Sequence, residues 1–293
     1  MESLVATAHF YKTIVDLLEK NGPDPDDYDK VLEFVNSLPD TEIEAFREAM
    51  EPILNPSTII GFSFTKPFGY NGDFFIIEKI YQHFVNPDTK YRKWDEFFHL
   101  LPAATAVVNR KTLAIEILKK QNSKCIGNDC NVLILGSGPV TEVYEFFVQN
   151  PENSLVFDLI DLDARAINYA KLKNKSHLSQ LTFHNQNVIR FVPDKKYKLI
   201  WSAGLFDYFK DKHFVYLLKK YYEYLEDEGE MIIGNFNVEN PSRRIMEILG
   251  DWFLYHRSKD ELYYFAHQAG IPANKTEIIS EPLGINLFLR VSK

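Results

Sequence analysis

The sequence predicts an α/β protein: a largely parallel β-sheet that ends in an antiparallel strand, preceded by a helical amino-terminal region. The run Val132 to Leu135 is apolar without alternation, which is typical of a strand buried on both faces of a parallel sheet. From this run onward, strand-like segments alternate with helical spacing. The last two strand-like runs, at 276–280 and 286–291, are joined by a loop too short for a parallel crossover. The final strand must therefore return antiparallel.

The first 60 residues carry apolar side chains at helical spacing. Two amphipathic stripes, at 5–18 and 31–38, are separated by the breaker Gly22-Pro23-Asp24-Pro25. A third helix is predicted to begin at Thr41, with Glu44 placed three residues later as in a capping box. This pattern indicates a helical bundle that carries no catalytic residues.

Residues 61–73, GFSFTKPFGYNGD, differ from their surroundings. Their glycines, Pro67 and aromatic residues predict an irregular loop and exclude a regular helix. Such a loop is either a packed connection or a lid over a ligand, and its composition favours the lid. Helical spacing resumes over 74–84 and again over 103–120, and the second of these helices carries Arg110.

A glycine turn follows the first strand. Gly136-Ser137-Gly138 leads into a helix, and a second apolar run at 155–160 ends in Asp161. Glycines let the main chain approach a ligand that a Cβ would block, and the first turn of the helix offers free N–H groups. A carboxylate at the end of the second strand can accept both hydrogen bonds of a ribose diol. The segment is therefore predicted to bind a nucleotide.

The residue at position 141 bears on which kind of nucleotide is bound. A dinucleotide fingerprint requires a third glycine there, and this chain has Thr141. A phosphate-free adenosine ligand needs less room, and S-adenosylmethionine is the commonest of these ligands. The alternative is a Gly-x-Gly turn that binds nothing.

The alternation continues to the carboxyl terminus. The predicted elements are helices at 164–173, 212–225, 242–255 and up to 269, and strands at 181–184, 197–201 and 231–235, the last after a Glu228-Gly229 turn. Asn187 follows the third strand, and its amide offers the donor and acceptor that an adenine edge requires. The small-residue turn at 202–208 suits a ligand that lies over the strand ends.

Composition narrows the function classes. The chain has 293 residues, of which 45% are hydrophobic. Its formal charge is −8, and an acidic protein is not expected to have a nucleic-acid-binding surface as its main feature. The amino terminus lacks the pattern of a signal peptide and no window resembles a membrane span, which predicts a cytoplasmic protein. Cys125 and Cys130 match no common zinc or redox spacing. They are predicted to be reduced, and no metal site is predicted.

Residues 131–293 resemble the class I S-adenosylmethionine-dependent methyltransferases. The resemblance rests on VLILGSGPV, LIDLD, HNQNV, LIWSAGLFDYF and EDEGEMIIGNF, taken in that order. It implies a Rossmann-like seven-stranded sheet at 123–293, an amino-terminal helical cap or substrate domain at 1–122, and S-adenosylmethionine as cofactor. By resemblance, Gly136, Ser137 and Gly138 contact the methionine moiety, Asp161 the ribose, and Asn187 with Val188 the adenine. Leu162 and Ala203 complete the predicted cofactor set.

A narrower likeness covers nearly the whole chain. KPFGYNGDFFIIEKIY, PAATAVVNRKTL and IIGNFNVENPSRRIMEILGDWFLYHR resemble a bacterial subgroup that includes the enzyme making the 3-hydroxypalmitic acid methyl ester signal. This resemblance implies methylation of a fatty-acid-like carboxylate. The acceptor is then a small or lipid-like molecule.

The chemistry of methyl transfer selects the catalytic candidates. A carboxylate acceptor is already ionised near neutral pH, so an orienting cation is enough, and Arg110, Arg243, Arg244 or Arg257 could provide it. An amine or hydroxyl acceptor would need a base, for which Asp73, Asp207 and His213 are candidates. The predicted catalytic and acceptor-lining set is Tyr70, Asp73, Arg110, Asp207 and Tyr208.

Other functions stay open at this point. N-methylation of a small amine needs the same cofactor site. A nicotinamide-dependent oxidoreductase is disfavoured by Thr141 and by the terminal hairpin. A catalytically silent binding module is kept open by Ile134, where the family usually has an acidic residue, and by Val140, where it usually has a third glycine.

Overall fold

The computed structural model describes residues 12–125 and 130–293 of the chain, so Val5 and Phe10 of the first predicted stripe lie outside the described residues. The chain forms two compact units. The helical unit takes residues up to Thr105 together with Pro241–Phe253, and the sheet unit takes Ala106–Asn240 and Leu254–Lys293. A cap or substrate role for residues 1–122 remains a prediction.

The helical unit consists of short helices joined by tight turns. Residues 12–19 belong to helix α1, and the next helices are α2 (Tyr28–Ser37), α3 (Ile43–Ala49), α4 (Ile59–Thr65), α5 (Phe74–Tyr81) and α6 (Thr89–Leu100). Helix α7 (Pro102–Lys124) leads into the sheet unit, and α11 (Arg243–Leu249) belongs to the helical unit. Their buried side chains follow the predicted helical spacing, Val31 and Val35 on α2 for example.

Two predictions about this unit were wrong. Residues 61–65 belong to helix α4, where a loop was predicted. A Cβ at position 61 would lie 2.2 Å from main-chain atoms of Asn55, so glycine is required there for close packing of the helix and does not mark a turn. Thr41 does not cap a helix, since it lies inside the 3₁₀ turn Asp40–Glu42 that precedes α3.

The sheet unit contains one seven-stranded sheet. Its strands are β1 (Cys130–Leu135), β2 (Leu155–Asp161), β3 (Leu181–Asn185), β4 (Tyr197–Ser202), β5 (Leu225–Phe236), β6 (Thr276–Ser280) and β7 (Asn286–Ser292). They stand in the order β3-β2-β1-β4-β5-β7-β6, and β7 is antiparallel to both of its neighbours. The predicted seven-stranded sheet with an antiparallel last strand is confirmed.

The sheet is covered on both faces. The helices of this unit are α8 (Thr141–Gln149), α9 (Ala164–Lys173), α10 (Asp211–Tyr222) and α12 (Lys259–Gln268). Leu133 and Ile200 pack into a core with residues of α10 and α12, whereas Val132 and Trp201 pack into a second core with residues of α7 and α8. Alternate residues of the strands thus enter opposite cores, which is why these runs are apolar throughout.

Strand β5 begins earlier than predicted. The predicted start was Met231 after a Glu228-Gly229 turn, but the strand extends from Leu225 and contains both residues. Glu228 has φ 60°, and the pairing with β4 is irregular between Tyr197 and Leu199. The predicted turn therefore lies inside the strand, where the pairing with β4 is irregular.

The cysteines are bonded to each other. Cys125 follows α7, Cys130 begins β1, and the two form a disulfide, so the prediction that they are reduced was wrong. Both sulfur atoms lie within hydrogen-bonding distance of the Gln121 side-chain amide. Among residues 12–125 and 130–293, no helix is both long and apolar enough to cross a bilayer.

A buried histidine makes the helical unit sensitive to acid. His99 bonds to the Phe84 carbonyl through Nε2 at 2.7 Å, and its ring stacks on His83 with centroids 3.9 Å apart. Burial lowers the pKa of His99 to about 4, with a smaller contribution from the charge of His83. The unfolded chain therefore binds more protons than the folded chain between pH 6.5 and pH 4, and acidification through this range favours unfolding.

We expect the substitution His99→Gln to reduce this loss of stability, because the glutamine amide can still donate to the carbonyl and does not titrate. Between pH 7 and pH 5 the wild type should lose about 2 kcal/mol of unfolding free energy relative to the variant. Urea titrations at the two pH values measure the difference. Parallel losses in both proteins would show that protonation of His99 is not the cause.

Candidate functional site

The glycine turn between β1 and α8 has the left-handed main chain that its sequence requires. Gly136 and Gly138 have φ 66° and 53°, and Val140 also has a positive φ, 57°. A Cβ on Gly136 would lie 2.9 Å from the Cβ of Leu205. Ser137 is buried, and its N–H donates to the Ile160 carbonyl at 2.9 Å, which ties the turn to the end of β2. The valine at position 140 thus adopts a conformation that favours glycine.

Asp161, at the carboxyl end of β2, bonds to the glycine turn. One carboxylate oxygen accepts the Gly138 N–H at 2.8 Å and the other accepts the Asp163 N–H at 2.9 Å. Burial raises the pKa of Asp161, and these main-chain hydrogen bonds act in the opposite direction. The Leu162 N–H also bonds to this carboxylate, whose two oxygens together offer about four acceptor positions. The carboxylate can therefore organise the turn and keep acceptor capacity for a ligand diol.

The last residue of β3, Asn185, is hydrogen-bonded to the end of β2. Asn185 donates its side-chain amide to the carbonyls of Asp161 and Leu162 at 3.1 and 2.9 Å. Leu162, the residue after Asp161, is apolar and 68% exposed. Sequence reasoning did not select Asn185, although an amide at a strand end is the signal that selected Asn187.

Asn187 begins a helical turn. Its side-chain oxygen accepts the Ile189 N–H at 2.8 Å, and its main-chain carbonyl accepts the N–H groups of Arg190 and Phe191. The acceptor half of the amide is therefore engaged within the chain, and the NH₂ half is the part suited to a ligand. Val188 is buried in the core of the sheet unit, so any contact it makes with a base involves its main chain.

The ends of β4 and β5 approach each other closely. A Cβ on Gly234 would lie 2.2 Å from the Ala203 carbonyl oxygen, so only glycine fits at this position of β5. A Cβ on Gly204 would lie 2.7 Å from Nη1 of Arg110, which places this buried guanidinium over the turn after β4. The predicted cation and the predicted turn are thus neighbours.

Asp207 lies on the same turn and is fully buried. One of its carboxylate oxygens accepts the Phe236 N–H at 2.7 Å, and its carbonyl accepts the Tyr255 N–H. Burial raises the pKa of Asp207 to about 7, against the Phe236 hydrogen bond and the positive charges of Arg110 and Arg257. A carboxyl group with this pKa can hold or release a proton near neutral pH.

Arg257 is a clamp within the sheet unit. Its guanidinium donates to the Asn235 side-chain oxygen at 2.7 Å and to Asp211 at 3.0 Å, and it lies 4.7 Å from the centre of the Phe214 ring. Its side chain is 2% exposed. These bonds join the end of β5 to the start of α10, and sequence reasoning did not foresee this role for Arg257 or Asn235.

The other predicted side chains have separate positions. Arg243 pairs with Glu247 and Arg244 with Asp40, both in the helical unit. Asp73 is buried and caps α5, where one of its oxygens accepts the N–H groups of Phe75 and Ile76. The remaining three, Tyr70 of the helical unit and Tyr208 and His213 of the sheet unit, are exposed. Their catalytic roles remain predictions.

No protein-family model and no curated protein matches the sequence. Solved structures do match the fold. A possible exported protein from Bordetella parapertussis is 15% identical with a TM-score of 0.64, over 75% of this chain and 79% of that one. A candidate O-methyltransferase from Nostoc punctiforme is 14% identical with a TM-score of 0.54, over 83% and 72%.

A third match is magnesium protoporphyrin IX methyltransferase from Synechocystis with S-adenosylhomocysteine bound. It is 11% identical with a TM-score of 0.52, over 66% of this chain and 88% of that one. At these identities the comparisons show the fold alone. The chain therefore has a fold that methyltransferases use.

Proposed function

We propose that this chain is an S-adenosylmethionine-dependent methyltransferase that acts on a small or lipid-like acceptor. The observation that carries the proposal is the hydrogen bond from the Gly138 N–H to Asp161, which joins the glycine turn to the acidic end of β2 at one sheet edge. This arrangement suits a nucleoside, since a strand end that carries a carboxylate binds a ribose diol. The fold shared with methyltransferase structures supports the choice of nucleoside.

The residues present fit this cofactor. Asp161 keeps acceptor capacity for a ribose diol, and Leu162, the next residue along the chain, is exposed and offers an apolar surface for a base. Gly136, Ser137 and Gly138 would hold the methionine moiety, and Asn187 with Val188 would contact the adenine. Ala203 would border the site from the end of β4. When bound, the cofactor supplies a methyl group on a sulfonium for in-line transfer.

For the acceptor we propose a fatty-acid-like carboxylate. The Arg110 guanidinium is buried and lies over Gly204, next to the predicted cofactor residue Ala203. A buried cation is suited to orient a carboxylate, and an ionised carboxylate needs no base before it attacks a methyl carbon. The protein then has only to align the acceptor and exclude water.

N-methylation of a small amine is the second candidate. The observation that favours it is Asp207, whose pKa is raised to about 7 and which lies on the turn after β4. Such a carboxyl group can take the proton that an amine must lose. Its burial and its hydrogen bond to Phe236 argue that it acts first as a structural group.

Thermal unfolding with separate ligands tests the cofactor. S-adenosylhomocysteine and S-adenosylmethionine should each raise the melting temperature by several degrees, because a ligand at 100 times its Kd adds about 2.7 kcal/mol. NAD should leave it unchanged. No shift with either adenosyl ligand, or a shift with NAD alone, would refute the proposal.

Turnover separates an enzyme from a silent binding module and identifies the acceptor class. The protein should release S-adenosylhomocysteine when given S-adenosylmethionine and a 3-hydroxy fatty acid, and not with the amine of equal chain length. Release with the amine alone would favour N-methylation. If the protein binds S-adenosylmethionine but releases no S-adenosylhomocysteine with any acceptor, it is a binding module that does not transfer the methyl group.

A further inference from the structure

Three main-chain carbonyls of the turn after Asn187 converge on one ammonium group. Lys220 of α10 donates from Nζ to the carbonyl oxygens of Val188 at 3.3 Å and Ile189 at 2.9 Å, and also to that of Phe191. A lysine ammonium has three donors, so these bonds account for all of them. The ammonium group of Lys220 therefore binds the turn and has no N–H left to donate to a ligand.

The neighbouring residue of α10 holds the same turn. The Tyr221 hydroxyl donates to the Val188 carbonyl at 2.7 Å, and the tyrosine is fully buried. Burial lowers the pKa of Lys220 and raises that of Tyr221. Both shifts reflect how far these polar groups are withdrawn from water. Tyr221 is fully buried and Lys220 is half-buried, and polar groups withdrawn from water in this way normally have specific partners.

The turn itself is short and needs this support. Asn187 closes its amino-terminal end by accepting the Ile189 N–H, and the side chains of Val188 and Phe191 enter the core. Its last carbonyls cannot continue into a longer helix, and a cation at that end satisfies them. The amino-terminal end of the turn carries the two residues proposed to contact adenine.

We infer that Lys220 and Tyr221 are positioning residues for base recognition: by holding the 187–191 turn they fix the Asn187 amide and the Val188 main chain against the adenine edge. The inference deepens the proposed function and rests on it. It predicts that discrimination among bases, as well as overall affinity, depends on a helix residue that does not touch the cofactor.

Two nucleosides measure discrimination directly. S-adenosylhomocysteine presents an amino donor and a ring-nitrogen acceptor, and S-inosylhomocysteine presents the reverse pattern with the same ribose and amino acid. The wild type should prefer the adenine compound at least about tenfold, roughly one hydrogen-bonded pair. In Lys220→Met the affinity for S-adenosylhomocysteine should fall about tenfold and the preference should approach one.

Lys219→Met is the matched control, because Lys219 is the exposed neighbour on the same helix. It should keep the affinity and the preference of the wild type. Without ligand, amide hydrogen exchange at 189–191 should be faster in Lys220→Met and unchanged in Lys219→Met. If Lys220→Met does not fold, Tyr221→Phe, which removes a single bond to Val188, should show the same changes to a smaller degree.

The outcomes separate this inference from the proposed function. If the wild type binds neither nucleoside, the proposed function fails and the inference fails with it. If the wild type prefers the adenine compound and folded Lys220→Met or Tyr221→Phe keeps that preference, only the inference is overturned. Faster amide exchange at 189–191 in Lys220→Met with an unchanged preference for the adenine compound would also overturn it. Lys220 would then stabilise the turn without affecting recognition of the base.

Discussion

Replacing Asp161 by alanine is expected to lower the affinity for S-adenosylhomocysteine by about 100-fold or more. Hydrogen bonds to a charged acceptor contribute about 1.5–3 kcal/mol each, and a ribose diol would make two of them. The variant also loses the bond that holds Gly138, so the glycine turn is freed at the same time. Isothermal titration of the folded variant measures the loss.

Two variants serve as controls for this substitution. Asp161→Asn keeps an acceptor oxygen of the same shape and should bind with intermediate affinity. Asp163→Ala removes the cap of α9, where Asp163 accepts the Arg165 N–H, and should cost about 1 kcal/mol of stability with little change in affinity. Wild-type affinity in Asp161→Ala would show that this carboxylate does not contact the ribose.

Replacing Gly234 by alanine is expected to cost about 3 kcal/mol of stability or more. The new Cβ would lie 2.2 Å from the Ala203 carbonyl oxygen and 2.9 Å from the Phe288 ring. The first of these atoms is main chain at the end of β4, so it cannot move without displacing the turn that carries Gly204 and Asp207. The melting temperature should fall by about 10 °C, and cofactor affinity should fall with it.

Gly270→Ala is the control for backbone strain. Gly270 has φ 81°, and a Cβ there would meet no atom within 4 Å. Its replacement should cost about 1 kcal/mol, the usual price of a left-handed alanine. If the two alanine variants melt at the same temperature, the close approach of β4 and β5 does not limit the choice of residue at position 234.

Local patterns were enough for the sheet. Apolar runs such as 132–135 and 155–160 have no alternative to burial on both faces, and the short link before β7 leaves only an antiparallel return. The glycine turn and Asp161 were likewise predicted as a pair, and the structure joins them by a hydrogen bond. These features depend on residues close in sequence or on one strand–helix unit.

The errors have a common physical origin. Residues 61–65 read as a loop because glycine weakens a helix, yet Gly61 is needed where α4 packs against the main chain of Asn55. Glu228 and Gly229 read as a turn, yet they lie inside β5, where its pairing with β4 is irregular. In each case packing against main chain outside the segment itself was involved, and local propensity does not include that packing.

Side-chain roles divide in the same way. The sequence by itself determined the α/β class, the order of the strands along the chain and the glycine–acid pair, because periodicity and turn chemistry are local. Only the tertiary structure decided that Cys125 and Cys130 pair, that Arg257 clamps β5 to α10, and that Lys220 holds the turn after Asn187. Each of these roles depends on how folding orients the side chains toward one another, and the spacing of residues in the sequence does not determine that orientation.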